Sequence, residues 1–148
     1  MIRLAQVEDV LDCRILAENF FFARNTKGKF SGEFFEGQWV GFLTTGIGNI
    51  LLRESAEFKI VEAIGYIVHP GGNGAECVST MFWYVDDDSQ GLAAGALFKA
   101  FLDGPAKDRE IRISVLADER LIAVSDVLSQ SGFSMYEMVY LKEATCPA

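Results

Sequence analysis

The chain is poor in the residues that carry most metal and nucleophile chemistry. It has one histidine (His69), three cysteines and three prolines in 148 residues. Cys13, Cys77 and Cys146 lie far apart and form no Cys-x-x-Cys pair. That excludes a zinc ribbon and a disulfide framework, and it fits a reducing compartment. No run of Lys and Arg occurs, and 13 basic residues face 21 acidic ones for a formal charge of −8. Nucleic acid and anionic membranes are therefore not expected as partners, whereas an acidic surface suits a cationic small molecule. The first residues lack the basic and then apolar segments of a signal peptide. The longest apolar stretch, residues 39–52, is broken by Thr, Gly and Asn and is too short to cross a bilayer. A cytoplasmic protein is expected.

Half of the residues are hydrophobic and 23% charged, which fits one globular domain over 1–148. A short strand at 2–5 precedes a helix running from about 8 to 22, with Val10, Cys13, Ala17 and Phe20 along one face. Residues 25–32 are polar and glycine-containing and read as an exposed connection. Phe35, Trp39, Phe42, Leu43 and Ile47 then mark a second helix. Strands follow at 50–54, 60–69 and 76–85, the last two separated by Pro70-Gly71-Gly72-Asn73-Gly74. A helix after residue 95 stops at Gly104-Pro105, and Ile111, Ile113, Val115 and Leu116 form another strand. Leu121, Val124, Val127 and Leu128 mark a last helix ended by Gly132, and 133–141 closes the chain as a strand. The order β-α-α-β-β-β-α-β-α-β predicts a mixed α/β domain, with antiparallel strands first and a parallel pair around the helix after residue 95.

The stretch 82–95, "FWYVDDDSQGLAAG", is the one most suggestive of function. A buried strand ends at an acidic turn, and a loop of small residues opens directly into a helix. The first backbone N–H groups of such a helix have no internal partner and make a seat for an anion. Gly91 and Gly95, with Ala93 and Ala94 between, keep side chains out of the way. Taken alone, the loop equally suits a tight strand-to-helix turn.

Over nearly its whole length the chain resembles the GNAT superfamily of acyl-CoA-dependent N-acetyltransferases. The segments "IRLAQVEDV", "IVEAIGYIVHP", "FWYVDDDSQGLAAG" and "SGFSMYEMVYLKE" carry the likeness. The acyl-CoA loop in that family runs Gln/Arg-x-x-Gly-x-Gly/Ala. Here it reads Gln90-Gly91-Leu92-Ala93-Ala94-Gly95, with Ala93 in place of the middle glycine. The resemblance implies acetyl-CoA as co-substrate, no metal, and a pyrophosphate seated over Gln90 to Gly95 with N–H donors from Leu92 to Ala96. It also implies that the backbone of Trp83 faces the acetyl carbonyl and that of Val85 the pantetheine amide. Phe82 and Tyr84 read more simply as core aromatics.

A glutamate that many such enzymes carry four residues before the Trp83 position is Ser79 here, and their last-helix tyrosine is Leu128. Substitutes are Glu76 on the same strand, Tyr136 or Tyr140 on the final strand, and His69. Of these, Glu76 and Tyr140 are the candidates for acid and base. Specificity in the family sits on the first two helices, their connection and the final strand. There Phe30 and Phe34 are candidates to line a pocket for an apolar or aromatic amine. The reading is an N-acetyltransferase acting on a primary amine of a small molecule by direct attack; a homodimer is possible. The alternative is a non-catalytic acyl-CoA-binding or interaction domain that keeps the fold.

Overall fold

Among the described residues five strands form one mixed sheet whose spatial order, β1-β2-β3-β4-β5, is also their order in the chain. They are β1 (Ile2–Leu4), β2 (Gly48–Glu54), β3 (Ile60–Pro70), β4 (Glu76–Val85) and β5 (Glu110–Arg112). The helices are α1 (Val10–Arg24), preceded by a 3-10 turn at Val7–Asp9, then α2 (Gly32–Thr45), α3 (Ala96–Asp103) and α4 (Leu121–Gln130). The structure, a computed structural model, describes residues 1–24, 30–86, 95–115, 121–140 and 142. Two compact units are present. Met1–Ser114 holds the sheet with α1 to α3, and Val115–Ala148 holds α4.

The first four strands pair antiparallel, and β4 pairs parallel with β5. The expected mixed α/β class and parallel pair are both present, because the crossover through α3 returns the chain in the same direction. Two strands differ from expectation. β5 ends at Arg112 rather than running on through Val115, since its ladder with β4 stops at Ser79↔Arg112. The strand expected at 133–141 is not formed over 133–140, which have no regular secondary structure. Alternating apolar residues there satisfy the pattern of a strand, but a strand also needs a ladder partner. Phe133 instead donates its N–H to Leu128 O (3.0 Å) at the end of α4.

Apolar spacing explains the two helical layers in the first unit. Val10, Cys13, Leu16, Ala17 and Phe20 on α1, with Phe35 and Trp39 on α2, are buried. They pack with Ile50, Leu52, Ala63 and Phe82 from one sheet face. Trp39 is 1% exposed and meets the Phe82 ring edge-on at 5.0 Å. On the opposite face α3 buries Leu97, Phe98 and Phe101, with Phe98 stacked on Trp83 (5.2 Å) and Phe101 against Tyr66 (5.6 Å). Gly65 makes the first layer possible. A Cβ there would stand 2.2 Å from Phe82 Cε1, so only glycine lets that ring lie flat on the strand.

Arg3 pins the edge strand. It forms a two-pronged ion pair with Asp9 (2.7 and 2.8 Å) and reaches Glu54 Oε1 at 2.7 Å. The Arg3 hydrogen bonds hold the Asp9 carboxyl below its ordinary range, although partial burial opposes this. The folded value lies below the unfolded one, so the stabilisation is present above about pH 4 and fades as pH falls through the folded value. Asp9→Asn is expected to lower stability by about 1 kcal/mol near neutrality, given the pair's partial exposure. Thermal melts of both proteins from pH 7 to pH 2 check this: the gap should close at the acid end. A gap that persists there would place the loss elsewhere.

Candidate active site

β4 organises the site because its two edges are treated differently. Asp86 N–H donates to Val61 O (2.8 Å), which makes 61 and 86 a hydrogen-bonded pair. The register Ala63↔Tyr84 and Gly65↔Phe82 continues the same set, while Glu62↔Val85 and Ile64↔Trp83 fall between. In an antiparallel ladder those intervening residues turn their N–H and C=O groups away from the partner. The backbone groups of Trp83 and Val85 therefore face the β5 side of β4. The β4–β5 ladder has already ended there, at Ser79↔Arg112. A bulge at Met81, between the Tyr66↔Thr80 and Gly65↔Phe82 pairs, marks where the strands part. The result is a short length of β4 edge that β5 does not pair.

The Trp83 side chain is held on the α3 face, where Nε1–H donates to Glu62 Oε1 (2.9 Å). Glu62 is 2% exposed and its other oxygen accepts from Arg53 Nε (2.8 Å). The sequence reading missed Glu62, although an acid inside the apolar run Ile60-Val61-Glu62-Ala63-Ile64 was a visible signal. Further along, Gly95 precedes α3 in the left-handed region (φ 96°), and its carbonyl takes the first helical bond from Lys99 N–H (2.8 Å). Among the described residues nothing stands within 4 Å of where its Cβ would be. Ala96 begins the helix, and Gln90, Gly91, Leu92, Ala93 and Ala94 lie outside the described residues.

On the α1/α2 face a cavity of about 370 Å³ opens between these helices and β4. Phe21 closes it from α1, and Phe30, Phe34, Phe35 and Trp39 from α2 and its approach. Met81, Phe82 and Tyr84 form the β4 wall, and Ser31 and Gln38 supply polar atoms. Phe30 is stacked on Phe21 (5.0 Å), whereas Phe34 is 68% exposed at the mouth. Ser31 caps α2 by accepting from Phe34 N–H (3.3 Å), which fixes the Phe30–Phe34 turn. Burial pushes the Tyr84 phenol above its usual range, so near neutrality it is a neutral O–H. Both Phe30 and Phe34 thus meet at one cavity, together with Met81 and Gln38, which sequence reasoning did not single out.

His69 lies near the end of β3, half-buried. Its Nδ1 is 3.0 Å from Pro70 O and its Nε2 is 2.6 Å from Ser79 Oγ. A carbonyl can only accept, so Nδ1–H donates to Pro70, leaving Nε2 to accept from the Ser79 hydroxyl. Ser79 stands two residues before Met81, on the cavity side of the sheet by the register Ile67↔Ser79. Glu76 is placed otherwise. It opens β4, seven residues from Trp83, and is ion-paired with Arg109 (3.0 Å) at an exposed position. Tyr136 and Tyr140 belong to the second unit, on the irregular segment 133–140. Cys13 is buried and its thiol pushed up to about 12 by burial, and Cys77 is fully buried. Among the described residues no group of three or more His, Cys, Asp or Glu is placed to hold a metal ion, and no helix is long and apolar enough to cross a membrane.

No protein-family model and no curated protein sequence matches the chain. Solved structures do. A possible acetyltransferase from Clostridium difficile 630 matches with a TM-score of 0.71 at 21% identity, over 99% of this chain and 98% of that one. The ribosomal-protein-alanine N-acetyltransferase of Brucella melitensis biovar Abortus 2308 gives 0.71 at 15% identity, over 97% and 99%. A predicted acetyltransferase from Clostridium acetobutylicum, solved with acetyl-CoA, gives 0.71 at 13% identity, over 96% and 95%. At these identities the likeness is one of fold: this chain has the fold of the GNAT acetyltransferases.

Proposed function

We propose that the protein transfers an acetyl group from acetyl-CoA to a primary amine of a small molecule. The observation that carries this reading is the stretch of β4 edge left open at Trp83 and Val85, joined through the Met81 bulge to an aromatic cavity. An extended pantetheine arm has amides that suit such an edge, much as an added strand would. Trp83 N–H would meet the thioester carbonyl, where a fixed donor stabilises the developing oxyanion. Val85 would hold the arm, and Gln90 to Ala96 the pyrophosphate at the start of α3. The acceptor would enter from the Phe30–Phe34 side. A proton leaving the amine has His69 as its acceptor, through the Ser79 hydroxyl. Buried, unpaired Cys13 and Cys77 support a reducing, cytoplasmic setting.

Thiol release from acetyl-CoA across a panel of amines tests the reading, with CoA binding measured alongside. Binding without release for any amine would favour a domain that only holds acyl-CoA. The seat itself has a separate check. CoA at millimolar concentration should raise the melting temperature of the native protein but not of Gly95→Glu, which puts a like charge beside the phosphates. Backbone strain at that positive φ, about 1 kcal/mol, lowers both melts of the variant alike, so the CoA-induced shift is the quantity to compare. Equal shifts in both proteins would move the anion seat elsewhere.

A further inference from the structure

We propose that the acceptor is a primary amine carried on an aromatic or arylalkyl body with no second charge. This deepens the acetyl-transfer reading and rests on it. The cavity is lined mainly by aromatic side chains, chiefly Phe21, Phe30, Phe35, Trp39, Phe82 and Tyr84. The Phe82 and Tyr84 rings are stacked on each other at 4.6 Å and 8°. No charged side chain lines the cavity among the described residues. Its polar atoms belong to Ser31, Gln38 and the neutral Tyr84 phenol.

This lining discriminates by charge. A polyamine or aminosugar would have to place several ammonium groups against a lining that offers no carboxylate among the described residues, which is costly. One ammonium over ring faces is tolerated, because the faces are electron-rich. An aryl body gains by leaving water and can stack edge-on or offset in the manner of the walls themselves. The volume of about 370 Å³ lies at the small end of ligand pockets, enough for one fused ring system and its side arm. Met81 sets the orientation. It lines the cavity and is the bulge residue of the β3–β4 pairing, two residues past the last β4–β5 pair, so the body fills the cavity while the amine points at the β4 edge that β5 leaves unpaired. The net charge of −8 draws the cation toward the protein without fixing it in the pocket.

The test pairs thiol release from acetyl-CoA with equilibrium binding read by titration calorimetry. The probes are 2-phenylethylamine, tryptamine, spermidine, kanamycin and a peptide beginning with alanine. Tryptamine or 2-phenylethylamine should exceed the others in kcat/KM by at least about tenfold, the factor equivalent to 1.4 kcal/mol. Phe34→Glu should raise the KM for tryptamine about tenfold and leave CoA affinity unchanged, while Phe34→Leu should change it much less. At 68% exposure Phe34 can be replaced without disturbing the fold. Turnover that favours spermidine, kanamycin or the peptide overturns the aryl class and leaves acetyl transfer standing. Saturable tryptamine binding lost in Phe34→Glu, with no thiol release from any amine, supports the ligand class and overturns acetyl transfer. Neither binding nor release overturns both.

Discussion

Replacing Arg53 with methionine is expected to cost about 3–5 kcal/mol of folding stability, the penalty for leaving a buried charge without its partner. Glu62 is 2% exposed, and its two oxygens are divided between Arg53 Nε and the Trp83 indole N–H. Methionine keeps much of the arginine stem's volume but offers no donor, so the carboxylate is left with one neutral hydrogen bond in an apolar layer. Changing both partners to methionine should recover much of the loss, because the charge leaves along with its cation. Recovery will be incomplete, since the Trp83 N–H then lacks an acceptor, at about 1–3 kcal/mol. Urea midpoints of the two single variants and the double variant supply the comparison. An Arg53→Met loss below about 1 kcal/mol would mean that the pair is solvated after all. CoA affinity should weaken as well, because Glu62 fixes the Trp83 ring and with it the backbone at the open edge.

Catalysis should be most sensitive to the His69–Ser79 pair. The attacking amine must be neutral, and a lysine-like amine has an ordinary pKa of about 10.4. A base that takes its proton typically contributes about 10²–10⁴-fold. Ser79 Oγ is 2.6 Å from His69 Nε2, and the Nδ1–H bond to Pro70 O holds the ring with that nitrogen facing the serine. The register sets Cys77 opposite His69 on β4, with Glu110 and Arg112 of β5 beside Cys77 and Ser79 in turn. His69→Gln and Ser79→Ala should each lower kcat by about 10² near neutral pH. The defect should shrink above about pH 10, where the amine deprotonates unaided. Acetyl-CoA dissociation constants should not move. If both variants keep activity within about twofold across the pH range, the pair is a structural hydrogen bond and the proton goes directly to water.

Sequence periodicity was enough to place every helix to within a turn, because helices report their buried face every three to four residues. β4 is the clearest case among the strands, with the expected limits 76 and 85 both realised. Its β-forming residues run between a glycine-rich turn and an acidic one, and both signals are local.

What the sequence could not supply depends on contacts between distant strands. β5 leaves the edge at Trp83 and Val85 unpaired because its ladder stops at Arg112, and strand length is decided by the partner ladder rather than by apolar content. The same cause undid the strand expected at 133–141, whose pattern was right but which has no ladder over 133–140. Ser79 looked like the loss of a base because sequence compares positions one at a time. The antiparallel register of β3 on β4 then set the chain's one histidine against its hydroxyl. Phe30 and Phe34 were singled out by their place on the connection and second helix, and only the packing of α1, α2 and β4 made them walls of one cavity with Met81. Local chain geometry is written in neighbouring residues, whereas register, bulges and cavities arise only when strands and helices far apart in the chain pack together.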